Sequence, residues 1–270
     1  MPEGDTVWRA ARSLRAALAG QVIVRSDLRV PAHATADLRG WQVADVVSAG
    51  KHLLMRLRQE PHGQGVTLHT HLGMDGRWRV YSMRSRPHVT HRTRVILQTA
   101  TCVAVGNSLP VVELLPASEE HRIVDRLGPD CLGENWDIDT AVANLAAAPQ
   151  RNIGHALLDQ RNLAGVGNVY RSEVLFLRGI HPRARVGDVA DLHTLVATAA
   201  DLLTANRERT TRNTTGLLGR GRELFVYGRS GRPCLRCAST VLTADLPADK
   251  GEMGQRVVYW CPRCQPTAGN

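Results

Sequence analysis

The chain has 270 residues, 43% of them hydrophobic, enough for two ordinary domains or two with a small appendage and too apolar for wholesale disorder. Its formal net charge of +9 and isoelectric point near 9.9 favour a polyanionic partner such as nucleic acid, the alternative being a basic enzyme without one. No stretch reaches the roughly 18 apolar residues of a membrane span, and the start MPEGDTVWRA lacks the basic and apolar regions of a secretory signal, so a cytoplasmic location with reduced thiols is expected.

From Asp5 to Leu18, the apolar residues Val7, Ala10, Ala11, Leu14 and Leu18 recur at helical spacing, with Asp5 or Thr6 available as N-cap. The period then changes. QVIVRSDLRV, WQVADVV, HLLMRL, VTLHTHL, RWRVY, RVILQT and CVAV are short, β-branched runs broken by Gly, Pro and Asn. They predict a β-sandwich or barrel with the first helix packed against it. Within this region lies Lys51. Of the 34 basic residues only Lys51 and Lys250 are lysines. A lysine kept in so lysine-poor a chain suits a place where a compact ammonium is wanted and a guanidinium fork does not fit; for Lys250, in the loop-like ADKGE stretch, chance retention is the simpler reading.

Turn residues cluster in LGPDCLGENWD (127–137), the best domain boundary. Helices are predicted over Ile138–Ala147, Ile153–Gln160, Asn168–Leu177 and Val189–Ala205, and Arg207–Arg222 reads as a flexible basic loop. Between the second and third of these helices, Gly165-Val166-Gly167-Asn168 offers glycine-exposed amides, with Asn168 as cap of the next helix. Such an N-terminus is a ready phosphate site, to which the Asn168 amide can add, although many helical hairpins end this way without a ligand.

The last fifty or so residues return to short strands around paired cysteines. Cys234-Leu-Arg-Cys237 and Cys261-Pro-Arg-Cys264 are two CxxC pairs with 23 residues between them. Each pair can place two thiolates on one tight knuckle, and two knuckles close a tetrahedral site suited to one structural zinc ion. The extended run Gln255–Trp260 makes a hairpin that presents Arg256 near its tip, where a guanidinium can meet a phosphate bidentately. Cys102 and Cys131 are expected to be packing residues.

Taken in order, Met1-Pro2-Glu3-Gly4, Gly50-Lys51-His52-Leu53-Leu54, His71-Leu72-Gly73-Met74-Asp75-Gly76, Leu127-Gly128-Pro129-Asp130, the LLDQ…LAGVGNVYRSE segment and VYGR…CxxC…CxxC resemble the formamidopyrimidine-DNA glycosylase and endonuclease VIII family over almost the whole chain. The resemblance implies an α+β multidomain fold: an N-terminal β-sandwich with a packed helix (1–126), a linker and helix (127–150), a helix–two-turns–helix DNA-binding domain (151–221) and a C-terminal zinc-ribbon β-hairpin (222–270). It implies a monomer acting on damaged DNA, with one structural zinc ion, no small-molecule cofactor and no membrane association.

By the same resemblance Pro2, exposed when Met1 is removed, is the nucleophile and Glu3 its general acid/base; Lys51 and Arg256 complete the catalytic set. An N-terminal amine with a pKa near 8 is partly neutral at physiological pH, unlike a lysine. His71, Met74, Asn168 and Arg256 fall on DNA-binding positions. Met74 matches a wedge that fills the gap left by a flipped-out nucleotide, the alternative being a buried strand methionine.

The chain departs from the family's pattern at Thr6, where most members have glutamate. Gly106–Leu114 also lacks the Arg and Phe that purine-type members insert beside the opposite base. With the MPEGD start, these departures favour the endonuclease VIII branch, most similar to actinobacterial members. The implied activity is excision of oxidised bases, pyrimidines foremost, through an iminium on Pro2 and β,δ-elimination. The alternatives are a purine-type enzyme that removes 8-oxoguanine and formamidopyrimidines, and a zinc-ribbon DNA-binding protein without catalysis.

Overall fold

The computed structural model describes residues 2–59, 63, 65–85, 87–246 and 256–267; Lys250 and Gln255 lie outside them. The chain divides into two compact units, Met1–Arg126 and Leu127–Asn270.

The first unit begins with helix α1 (Gly4–Leu18). Strands β1 (Arg25–Leu28), β2 (Gln42–Ala49), β3 (His52–Arg58), β4 (Val66–His71), β5 (Arg77–Ser82), β6 (Thr93–Gln98), β7 (Cys102–Asn107) and β8 (Val111–Pro116) follow, then the single-turn helix α2 (His121–Val124). The strands form two antiparallel sheets, β1-β6-β7-β5 and β2-β3-β4-β8. Their inward side chains, including Val43, Leu53, Met55, Leu68, Val95, Leu97, Ala104 and Val112, share one core with Val7, Ala11, Leu14 and Leu18 of α1. The architecture is therefore a sandwich rather than a barrel, capped by an amphipathic helix whose apolar stripe recurs at i, i+4, i+7 and i+11.

Strand β8 was not anticipated. Val111-Val112-Glu113-Leu114-Leu115 carries the β-branched signal, but it follows Asn107-Ser108-Leu109-Pro110 closely, and Ser108 takes φ +51°. That turn sends the chain into the other sheet, where β8 pairs with β4.

The second unit comprises α3 (Ile138–Ala146), α4 (Ile153–Ala156), α5 (Asn168–Leu177), α6 (Leu192–Asn206) and the hairpin strands β9 (Leu242–Leu246) and β10 (Arg256–Trp260). Leu145, Ile153, Leu157, Leu163, Tyr170, Val174, Leu195 and Leu203 form its main core. A smaller cluster joins Phe176 to Val226, Cys234, Val241 and Cys261. Cys102 and Cys131 are both buried.

Two predicted helices are shorter than expected. The helix predicted over 153–160 ends at Ala156. Beyond it Asp159 accepts from the Arg161 N–H and from the guanidinium groups of Arg151 and Arg161, while the Gln160 amide donates to the carbonyls of Leu158 and Val166. These side-chain bonds offer the backbone an alternative to helical continuation. The helix predicted from Val189 starts at Leu192, because the Asp191 carboxylate caps it by accepting from Thr194 N–H. The basic segment 207–222 forms neither helix nor strand. Its backbone is gathered around Asn213, whose side-chain oxygen Oδ1 accepts from Thr215 N–H and Gly216 N–H.

A fully buried carboxylate fastens the segment after that loop to α5. Glu173 accepts from the N–H groups of Phe225, Val226 and Tyr227 at 2.7–2.9 Å and from the Thr214 hydroxyl. Burial pushes its carboxyl upward, opposed by these donors. Replacing Glu173 with Ala strands three backbone donors. It should cost on the order of 3–5 kcal/mol in urea unfolding, with Glu173→Gln intermediate; a loss below about 1 kcal/mol would refute this anchoring role.

Candidate functional site

In the first unit the sequence-predicted residues sit at the start of α1 and at one end of the β2-β3-β4-β8 sheet. Pro2 is partly exposed. Glu3 follows as the N-cap residue of α1; its carbonyl accepts from Thr6 N–H and Val7 N–H, which fixes its backbone. Its side chain is fully buried yet makes no capping hydrogen bond. Thr6 donates from its hydroxyl to the Asp5 carboxylate at 3.2 Å.

Lys51 occupies the two-residue turn Gly50-Lys51 between β2 and β3, which pair at Ala49–His52. Gly50 has φ +56°, as hairpin turns with glycine at their first central position require. The register then gathers imidazoles. His52 pairs with His71, and His69, two residues before His71, pairs with Glu113 of β8. Strand alternation puts these four side chains on the face opposite the core residues Leu53, Leu68 and Val112. His52 Nδ1 lies 2.9 Å from His69 Nε2, and His69 Nδ1 lies 2.9 Å from Glu113 Oε2. His71 Nδ1 accepts from Gly73 N–H at 2.9 Å, which leaves its proton on Nε2 as an outward donor.

Burial, the neighbouring His69 and His71, and Lys51 together push His52 down to about 4. His71 is lowered in the same way by burial, Lys51 and His69. Met74 lies in the turn after β4 with 63% of its surface exposed, so it is not a core methionine.

In the second unit Asn168 and β10 come together. The Asn168 side-chain amide donates to the Val257 carbonyl at 3.0 Å. The fully buried Arg171 guanidinium donates to that same carbonyl at 2.8 Å and to the Asn168 side-chain oxygen. Asn168 is therefore not the cap of α5, as expected; Gly167 is the N-cap residue, and Asn168 is the first residue of the helix with its side chain turned toward the hairpin. Arg256 opens β10 opposite Leu246.

The four thiols of Cys234, Cys237, Cys261 and Cys264 lie within 4.8 Å of one another. Two of their separations are 3.9 Å (Cys234–Cys264) and 3.4 Å (Cys237–Cys261). A tetrahedral zinc ion with Zn–S bonds of about 2.3 Å needs S···S edges of about 3.8 Å, so the donor set and its size both fit. Each knuckle is folded by its own backbone: Ala238 N–H donates to the Cys234 carbonyl with Ala238 at φ +63°, and Gln265 N–H donates to the Cys261 carbonyl.

Sequence reasoning missed Arg171, Glu173, His69 and Glu113. Arg171 and Glu173 fell inside a segment read for its glycines, yet two opposite charges in a helix otherwise rich in apolar residues were the available signal. His69 and Glu113 had no local signal, because only strand pairing brings them together.

Two family models match the chain: the formamidopyrimidine-DNA glycosylase N-terminal domain over residues 1–108 and the formamidopyrimidine-DNA glycosylase H2TH domain over residues 127–215. A protein of Streptomyces coelicolor named probable endonuclease 8 2 is 53% identical, covering 98% of this chain and 94% of its own. The DNA-(apurinic or apyrimidinic site) lyase Nei2 of Mycolicibacterium smegmatis is 46% identical over 98% of this chain and 99% of its own. Among solved structures, Lactococcus lactis formamidopyrimidine-DNA glycosylase bound to DNA containing an abasic site superposes with TM-score 0.78 at 23% identity, covering 98% of this chain and 100% of that one.

The lowered His52 has a consequence for stability. In the unfolded chain a histidine takes up its proton near pH 6.5, whereas in the folded protein His52 resists until about 4. Between those values the unfolded state binds more protons, so stability falls as pH drops through that window and is independent of this group above it. Urea midpoints at about pH 7 and about pH 5 should therefore separate more in the wild type than in His52→Asn, which keeps a donor amide but does not titrate; equal separations would contradict the assignment.

Proposed function

The chain belongs to the formamidopyrimidine-DNA glycosylase and endonuclease VIII family, and from that membership we propose that it removes oxidised pyrimidines from DNA with Pro2 as its nucleophile. The general activity is that of a bifunctional DNA glycosylase and abasic-site lyase of base excision repair.

The observation that carries the nucleophile assignment is the burial of Glu3 beside Pro2. A fully buried carboxyl is costly and rare, and this one directly follows Pro2, with its backbone fixed as the N-cap of α1. Its placement suits a general acid/base next to an amine. In the proposed reaction the Pro2 nitrogen bonds to C1′ of the damaged nucleotide as the bond from C1′ to the base breaks, and Glu3 protonates the opening sugar oxygen. The resulting iminium acidifies the C2′–H. Loss of that proton expels the 3′ phosphate, and a second elimination expels the 5′ phosphate.

Lys51, at a hairpin tip in a lysine-poor chain, supplies an ammonium to a phosphate beside the lesion, and the His71 Nε2–H supplies a further donor. Asn168 at the α5 N-terminus and Arg256 on β10 grip the backbone, a pairing favoured by the shared Val257 carbonyl that ties helix and hairpin together. Met74, exposed on its turn, is the wedge. The four cysteines would hold one zinc ion, a closed set of thiolates whose contribution is to fold the hairpin. The pyrimidine preference rests on the endonuclease 8-named relative and on the absence of the Arg and Phe of purine-type members in 106–114.

Borohydride added to untagged protein and duplex containing 5-hydroxyuracil should trap a covalent adduct on residue 2, absent when the Pro2 amine is blocked. An adduct elsewhere, or cleavage by a blocked protein, would overturn the Pro2 assignment; trapping on an abasic duplex but on no pyrimidine lesion would overturn the substrate assignment. Replacing Cys261 with Ser should lower zinc content and cut strand cleavage at least about tenfold, although no cysteine takes part in the chemistry. Full activity in metal-free protein would contradict the structural role.

A further inference from the structure

Among the described residues, β3, β4 and β8 hold a chain of titratable side chains that the reaction above does not use. Glu113 Oε2 is 2.9 Å from His69 Nδ1, and His69 Nε2 is 2.9 Å from His52 Nδ1. His69 is buried, whereas about half of the Glu113 side chain is exposed. The two hydrogen bonds determine each other. A carboxylate only accepts, so His69 Nδ1–H donates to Glu113. With one proton on the ring, His69 Nε2 accepts, and the donor to it is His52 Nδ1–H. The lone pair of His52 is then on Nε2, at the other side of the ring.

A second proton on the pair would reverse the last link, because His69 would donate from both nitrogens and His52 would carry its proton on Nε2. Burial, together with His69, His71 and Lys51, holds His52 down at about 4, so His52 itself stays neutral near neutral pH. His71 is fixed independently by Gly73 N–H, which leaves its Nε2–H as donor. The rings of His52 and His71 meet edge to face with centroids 5.3 Å apart. Next to Lys51, the strand end thus offers one imidazole acceptor and one imidazole donor.

We propose that Glu113 is a positioning residue that acts through His69 to fix the tautomer of His52, so that the turn bearing Lys51 has beside it an imidazole acceptor and not a competing N–H. An ammonium group only donates. An acceptor lone pair steadies it in place for a phosphate, whereas an N–H in the same position would compete with it for the same anion. The inference rests on the reading of Lys51 as a phosphate-binding residue.

The chain is tested at two levels. Long-range proton–nitrogen correlation spectra of the zinc-loaded protein without DNA, near neutral pH, report which nitrogen of each ring is protonated. The wild type should show Nδ1–H for His52 and His69 and Nε2–H for His71. In Glu113→Leu, which leaves the core face of β8 untouched, the Nδ1–H preference of His69 and His52 should be lost. Single-turnover cleavage of an abasic-site duplex should fall about tenfold, the factor of one lost hydrogen bond. Glu113→Gln, whose side-chain oxygen still accepts, should restore the tautomers and most of the rate; this rescue separates positioning from a general loss of structure. Nε2 protonation of His52 in the wild type, or a Glu113→Leu protein with unaltered tautomers or undiminished cleavage, would overturn the proposal. Because the spectra require no substrate, absence of cleavage in a wild type with the expected tautomers would count against the lyase reading alone.

Discussion

In the second unit, almost everything beyond the helical core is organised by α5 and the two opposite charges buried on it. A guanidinium and a carboxylate out of water are each expensive, and each is tolerated here because several of its atoms are hydrogen-bonded. Arg171 uses its donors on the Val257 carbonyl of β10 and the Asn168 side chain. Glu173 uses its oxygens on the backbone of 225–227 and on Thr214. One helix thereby fixes both the strand that carries Arg256 and the segment leading to the first cysteine knuckle. The apolar part of the same helix, through Phe176, joins the small core that contains Cys234 and Cys261. A metal knuckle alone would set only its own four ligands; the two buried charges set where the hairpin lies on the helix.

The first unit meets the same need in another way. Its core is closed by α1 and the inward faces of two sheets, and the outward face of β3, β4 and β8 is free to carry polar groups. Because strand alternation is strict, Leu53, Leu68 and Val112 commit their strands to a register that leaves His52, His69 and Glu113 together on the other face. Hydrophobic burial thus specifies the polar constellation indirectly. A slip by one residue would turn three imidazoles into the apolar core and Leu53, Leu68 and Val112 out of it, so the fold's largest energetic term also protects the arrangement next to Lys51.

These two units explain which parts were legible in the sequence. The stripe of α1 and the CxxC pairs are local: each depends on residues within a few positions, and each could be read directly. The scarcity of lysine singled out Lys51 without any structural premise. The early end of α4 escaped because Arg151 and Arg161 meeting at Asp159 leaves no mark on the apolar period. The rest was set by distant partners. The identity of Gly167 as N-cap depends on Asn168 being drawn to Val257, far along the chain. The Glu113–His69–His52 chain exists only once β8, itself unrecognised, pairs with β4.

The residues missed in this way share a property with those that were found. Pro2, Lys51, Asn168 and Arg256 are each held by backbone features with little freedom: a helix start, a two-residue turn, a helix N-terminus and a strand. Recognition of a phosphodiester requires donors placed before the ligand arrives, because ordering long side chains on binding costs about 0.5–1.5 kcal/mol each. The unanticipated residues supply that order. Arg171 holds Asn168 in place without itself lying on the expected phosphate contacts, and the imidazole chain behind Lys51 has the same relation to its turn. Within each unit, the buried polar network is therefore a rigid support: Arg171 for the side chain of Asn168, and the Glu113–His69–His52 chain for the strand end next to Lys51.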